Sequence, residues 1–308
     1  MPRAGTPTMK AMSFRRVAAL TLLICLISLG LTSCFARRRL ITRKATGGKA
    51  ATNLRVADQA SLLNAVATHY DAVHDFSATV DMTPALGTVE KSQITEYKDV
   101  TGYILFSKPA HIHIIGLYPV IRSKAFDMAS SGADFKLYLP SRNLFLSGSN
   151  EIGKPSANKI ENLRPQFFLD AMLVRPVDAA NNKILTTNMT DEDGAYYIVH
   201  EIREAANGDL QMHRTLWFNR LDLQLARQLI FDAAGNILTD ARYSEWKPWD
   251  NVPFPKHIDF NRPQDGIGVV LDIRKMDINK GVSDDKFVLR QPEGSRLQIV
   301  GQSQGPPK

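Results

Sequence analysis

The apolar positions of this chain follow three different rhythms. From Val17 to Leu31 they are almost unbroken. Between Val56 and Phe76, Ala60, Leu63, Ala67, Tyr70 and Val73 recur at intervals of three and four, which predicts an amphipathic helix with Asp58 or Ser61 near its start. Beyond Phe76 the pattern breaks into short runs separated by turn-forming residues. Phe76–Met82, Thr101–Phe106, Ile112–Leu117, Lys124–Met128, Phe135–Leu139 and Leu144–Leu146 predict an antiparallel meander, with Pro84, Pro109, Pro119, Ser131-Gly132 and Pro140-Ser141 as breaks.

A second helix is expected over Ile160–Val174, where Leu163, Phe167, Phe168, Ala171 and Met172 share one side. Pro165 falls early enough to sit in a first turn, and Pro176 stops the helix. A second meander follows in Tyr196–Ile202, Thr215–Phe218, Ala226–Phe231, Ile237–Trp246, Phe254–Phe260 and Val269–Ile278. Its connections carry Asp193-Gly194, Asn207-Gly208, Ala234-Gly235-Asn236 and Asp265-Gly266. In Tyr196–Ile202 and Val269–Ile273 apolar residues occupy both faces more than a one-sided sheet needs. The expectation is an α+β fold with one long curved sheet wrapped over something apolar.

Composition removes several classes. At 308 residues, 44% apolar and 22% charged, the chain is neither disordered, collagen-like nor a disulfide-dense miniprotein. A net charge of +7 would direct attention to nucleic acid or an anionic membrane. Its distribution changes that picture, because residues 1–55 hold 11 Lys and Arg and no acid, the first carboxylate being Asp58. Removing those 11 from 38 leaves 27 bases against 31 acids, so the body from residue 56 carries a net −4 and no basic stripe for nucleic acid.

The amino-terminal segment, residues 1–33, has the layout of a secretory signal: Arg15-Arg16, then the apolar run, then Leu31-Thr32-Ser33-Cys34. That ending resembles the bacterial lipobox, in which the Cys is acylated with a palmitate-type chain and becomes the first mature residue. An uncleaved signal anchor and, from Arg15-Arg16, a twin-arginine signal are alternatives. Residues 34–55 are rich in Arg, Lys, Thr, Gly and Ala and predict a flexible basic tether, leaving 56–308 as the folded domain. Phe35 stands where the inner-membrane retention signal has Asp, which favours outer-membrane placement, facing the periplasm. The two cysteines, Cys25 and Cys34, both lie in this leader, so the folded body has neither a disulfide nor a Cys metal site.

Candidate chemistry in the body is sparse. Gly148-Ser149-Asn150-Glu151-Ile152-Gly153-Lys154-Pro155 has the glycine and lysine spacing of a P-loop, but Pro155 replaces the metal-binding hydroxyl. His111 and His113 share one face of a strand as a possible metal pair, with no carboxylate near in sequence. Asp191-Glu192-Asp193-Gly194 lacks the spacing of a calcium loop. No nucleophile elbow, zinc-protease or dinucleotide motif is present. No catalytic residue, metal or cofactor is expected.

Several segments in order carry a family likeness. Gly102-Tyr103-Ile104-Leu105-Phe106-Ser107-Lys108-Pro109 leads into the strand at Ile112, and Phe135–Pro140 is followed by Leu144–Gly148. Leu229–Asn236, the Tyr243 strand, Pro253-Phe254-Pro255-Lys256-His257-Ile258 and Asp285-Lys286-Phe287-Val288-Leu289 complete the series. Behind a lipobox, this series resembles the LolA/LolB-like superfamily of periplasmic lipoprotein carriers and lipid-binding lipoproteins. The resemblance implies an open antiparallel half-barrel over helices, with an apolar cavity for acyl chains or an acylated protein. Its lining would come from Leu63, Tyr70, Ile104, Phe106, Ile114, Leu137, Phe167, Phe168, Met172, Leu216, Phe218 and Leu271. It also implies an exposed apolar loop residue, for which Leu86 is the candidate. The alternatives are an envelope-assembly or structural lipoprotein that uses the sheet to bind a protein partner, and a hydrolase centred on His111 and His113.

Overall fold

The computed structural model describes residues 53–88, 93–96, 99–151, 159–190 and 194–300. The signal, the lipobox Cys34 and nearly all of the tether lie outside these residues. The first meander comprises strands β1 (Asp75–Thr88), β2 (Gln93–Glu96), β3 (Val100–Ser107), β4 (His111–Leu117), β5 (Lys124–Ser130), β6 (Asp134–Leu139) and β7 (Leu144–Ser149). The second comprises β8 (Lys183–Thr190), β9 (Ala195–Glu204), β10 (Leu210–Asn219), β11 (Leu225–Phe231), β12 (Ile237–Trp249), β13 (Val252–Arg262) and β14 (Ile267–Ile278), and β15 (Arg296–Val300) closes the described chain. Helix α1 (Gln59–Ala72) precedes the first meander and α2 (Pro165–Met172) separates the two.

All fifteen strands form one sheet, ordered β15-β7-β6-β5-β4-β3-β1-β14-β13-β12-β11-β10-β9-β8, with β2 attached to β1. The β1–β14 pair is the seam that joins the two meanders. Helix α2 touches β4 and β5 on one side and β13 on the other, although β5 and β13 stand five strand intervals apart. In a flat sheet that separation is about 24 Å, twice the width of a helix. The sheet therefore curls around α2, and one apolar core includes strands of both meanders.

The helices form where expected, with shifted details. Asp58 caps α1, its Oδ1 accepting from the Ser61 amide at 2.9 Å. The fully buried stripe is Leu62, Val66 and Val73; Leu63, Ala67 and Tyr70 are half-buried and Ala60 is exposed. With Leu at both 62 and 63, two adjacent stripes have equal helical spacing, and only the packing chooses between them. Helix α2 is shorter than the predicted Ile160–Val174. Arg164 is extended (φ −129°, ψ 137°), as a residue before proline must be, so Lys159–Asn162 is a separate 3-10 turn and Pro165 opens the helix. Six of its eight residues are buried, which makes it a core helix enclosed by the sheet.

Three strands had no sequence signal. β2 is short, β8 is rich in Thr and Asn, and β15 lies beyond the last predicted run. β15 runs parallel to β7, so the sheet is not wholly antiparallel as expected. Pro84, expected as a break, lies inside β1 opposite Val269. Pairing with β3 ends at Met82 and pairing with β2 begins at Ala85, so Pro84 has a strand on one side only and its missing N–H costs no ladder bond there. Leu86 is likewise on β1, paired with Ile267 and Thr95, and not on a loop.

After β14 the chain crosses the outer face of the sheet. Leu289 packs with Ala129 and Phe145 in a small second cluster. This cover explains why β5 is buried on both faces from Asp127 to Ser130.

Candidate functional site

Helix α2 fills the concave side of β4 and β5, and space remains where α1 crosses the second meander. There a cavity of about 370 Å³ opens. Helix α1 contributes Ser61, Asn64, Ala65, Val66, Thr68, His69 and Ala72, and the end of α2 adds Met172 and Val174. The sheet side is Phe218, Leu223, Gln224, Leu225, Tyr243, Trp246, Val252, Pro253 and Pro255. None of these residues is Asp, Glu, Lys or Arg.

Local backbone features shape this wall. Alternation along β12 is interrupted at Glu245, which has φ 55° and is exposed, and Trp246 follows it half-buried on the cavity. The Trp246 indole N–H donates to the Leu225 carbonyl at 3.0 Å, fixing the ring. Leu223, in the β10–β11 turn, has φ 64°, a left-handed conformation costing about 1–2 kcal/mol for a bulky residue. Its side chain packs against the core, which holds it there.

His69 stands between aromatic rings, 5.6 Å from Trp246 at 74° and 5.7 Å from Phe254. Among the described residues no hydrogen-bond partner reaches its ring nitrogens, and the residue lines the cavity. Burial, reinforced by the Lys108 cation, lowers its pKa to about 4, so the imidazole is neutral at pH 7. Lys108 itself is engaged elsewhere: its ammonium donates to the Tyr70 carbonyl at 2.6 Å and lies 4.0 Å over the Tyr70 ring. Among the described residues the buried Tyr243 hydroxyl has no partner, and burial holds the phenol far above its usual range.

Of the residues expected to line a cavity, Met172 and Phe218 do so. Ile104, Phe106, Ile114, Leu137, Phe167, Phe168, Leu216 and Leu271 are buried core, and Leu63 and Tyr70 are half-buried against it. The sequence reading missed His69, Tyr243, Trp246 and Leu225. A signal existed for His69, three residues after Val66 and seven after Leu62 on the stripe that the fold buries.

The other polar clusters are internally satisfied. A second cavity, about 340 Å³, is lined by Asp170, Arg175, Asp178, Asn182, Glu201, Arg203, His213, Arg214 and Gln228 among others. Arg214 there donates to Glu201 at 2.8 Å and to the carbonyls of Arg175 and Pro176 at 2.8 and 3.1 Å. Glu201 also accepts from Asn182 and the Asp178 amide, so this buried pair pins the loop after α2. His113 lies 2.6 Å from Asp127 through Nε2 and meets the Lys286 carbonyl through Nδ1. Burial opposes ionisation of Asp127, but hydrogen bonds from His113 and Lys124 hold its pKa below the ordinary value. Of the two histidines considered as a metal pair, His113 joins this clamp and His111 packs 5.5 Å from the Phe287 ring, both against the 286–287 segment. Among the described residues no group of three or more His, Cys, Asp or Glu could hold a metal. Residues 152–155 of the P-loop-like stretch and residues 191–193 lie outside the described residues.

The β4–β5 turn is an exposed apolar tip. Val120 is 92% and Ile121 73% exposed, followed by Arg122 and Lys124. Two backbone bonds of 3.0 Å, Tyr118 N–H to Ser123 and Arg122 N–H to Tyr118, hold the turn. Among the described residues no helix is long and apolar enough to cross a membrane.

Fold and site define a single curved sheet, closed over two helices, that keeps an uncharged cavity of ligand size. No family model matches the chain, and no curated protein matches it. Solved structures are similar to it. A DUF1329 family protein from Desulfovibrio piger is 16% identical at a TM-score of 0.49, over 74% of this chain and 94% of that one. LolA superfamily protein NE2245 from Nitrosomonas europaea is 14% identical at 0.46, over 74% and 97%. A domain described as an outer membrane lipoprotein-sorting protein, from Vibrio parahaemolyticus, is 12% identical at 0.46, over 74% and 94%. The second bears the name of the superfamily that the sequence resembles. At these identities no function passes from them to this chain.

Proposed function

We propose that the protein is a lipid-anchored envelope protein, facing the periplasm, that carries or senses acyl chains or an acylated protein in the cavity between α1 and the β10–β13 face. The observation that carries this reading is the cavity itself: about 370 Å³, mainly apolar walls and no charged lining residue. An acyl chain entering it gains on the order of 25 cal/mol for each Å² of apolar surface removed from water. Acylated Cys34 and the basic tether would hold the domain at a membrane. The Val120-Ile121 tip gives the domain a second apolar contact with a bilayer, and Arg122 and Lys124 beside it suit anionic headgroups.

The test is lipid extraction and mass spectrometry of protein purified without its first 34 residues, with uptake of a fluorescent acyl probe. Co-purifying acyl lipid and saturable uptake are expected. Ala65 is exposed on α1 and borders the cavity, so Ala65→Trp should keep the fold and cut probe affinity about tenfold. Absence of both lipid and uptake would refute the reading.

A second reading, a protein-binding envelope lipoprotein, is favoured by the far edge of the sheet. Among the described residues β8 ends the strand order with no partner on its outer side, and Leu185 is 54% exposed on it.

A further inference from the structure

Resting on the acyl-binding reading, we infer that the cavity selects acyl groups whose polar end is uncharged, an ester or amide and not a free carboxylate, and that His69 donates the hydrogen bond that recognises its carbonyl. The first ground is the charge inventory of the wall. Its polar groups are hydroxyls, amides, one imidazole and one indole: Ser61, Asn64, Thr68 and His69 on α1, with Gln224, the Tyr243 hydroxyl and Trp246, whose N–H is held by the Leu225 carbonyl, on the sheet side. No lining side chain can neutralise an incoming carboxylate, and an unpaired charge taken from water into such a site costs far more than an ester does.

The second ground is His69. Its ring is held between Trp246 and Phe254, and no other described group uses its nitrogens. A neutral imidazole offers one N–H donor and one acceptor nitrogen, which matches an ester carbonyl with the first and an amide with both. The neighbouring cation, Lys108, does not line the cavity; it is fastened to the Tyr70 carbonyl and ring, with Asp71 as its opposing charge. An anionic ligand would therefore lose its hydration without gaining an ion pair on the cavity wall.

The experiment uses the full chain and three competitors of equal acyl length, decanoate, methyl decanoate and N-methyldecanamide, against a fluorescent hydrocarbon probe without a carbonyl at pH 8. The ester and the amide should displace the probe at concentrations about tenfold or more below decanoate. His69→Phe should weaken ester and amide by about three- to tenfold and leave the fluorescent hydrocarbon probe bound. His69→Gln, which keeps a neutral donor, should restore the preference and guards against misfolding of the first variant. Decanoate binding as tightly as the ester, or a preference that survives His69→Phe, overturns the inference while acyl binding stands. If the fluorescent probe and all three competitors fail to bind, the acyl-binding reading falls and the inference with it.

Discussion

His69 shows how one residue reports the surroundings that the fold builds for it. Its pKa of about 4 has burial as the main cause and Lys108 as the second. In the unfolded chain the same imidazole titrates near its ordinary value of about 6.5, so on acidification the unfolded state takes the proton first. The sign follows: stability from this group is complete above pH ~6.5 and is lost as pH falls towards 4. His200 and His213, also lowered by burial, act in the same direction. Urea unfolding of the wild type should therefore give a stability about 1–2 kcal/mol lower at pH 5 than at pH 7 from His69 alone. His69→Phe should remove that increment, and an NMR titration placing His69 near 6.5 would contradict the buried setting.

At the scale of elements, the two ends of the sheet are treated differently. β8 is left open, whereas the β7 edge is covered by β15, which arrives after the chain has crossed the outer face and met His113 through Lys286. Close approach at Gly148 makes this cover possible, since a Cβ there would fall 2.4 Å from the Val300 carbonyl oxygen. That contact is with backbone, so no side-chain rotation relieves it. Gly148→Ala should displace β15 and cost about 1–3 kcal/mol. Hydrogen exchange should then show the amides of 296–300 losing protection while α1 and β12 keep theirs; unchanged protection at β15 would show that the pairing tolerates the methyl group.

At the scale of the molecule, curvature and placement matter together. The Arg55 amide donates to the Arg220 carbonyl at 2.7 Å, so the chain enters the domain at the β10–β11 turn, the same turn that supplies Leu223 and Gln224 to the cavity. The Val120-Ile121 tip is at the opposite end of the strands, because the seven antiparallel steps from β4 to β10 reverse the strand direction. On the proposed reading, anchor and tip would be separate membrane contacts. Cys34→Ala should move the protein from the membrane to the soluble fraction, and retention at high salt would refute the lipid anchor. The released protein should bind anionic vesicles weakly, and Val120→Asp should lower that binding several-fold in a sedimentation assay.

Local physics determined much of this protein. The short apolar runs located twelve of the strands, Asp58 or Ser61 marked the helix start, and the charge split separated a basic amino-terminal stretch from an acidic body. Those features depend on neighbours along the chain, and a single sequence carries them. Which of Leu62 or Leu63 turns inward, that a polar run such as β8 is a strand, and that β15 pairs parallel with β7 depend on partners far away in sequence. The cavity belongs to this second group. Phe106 and Phe218 are equally apolar, fully buried strand residues, yet α2 fills the space in front of the first meander and leaves room beside Phe218. Sequence supplied the apolar surfaces, and only the curl of the sheet around its helices decided where they failed to close.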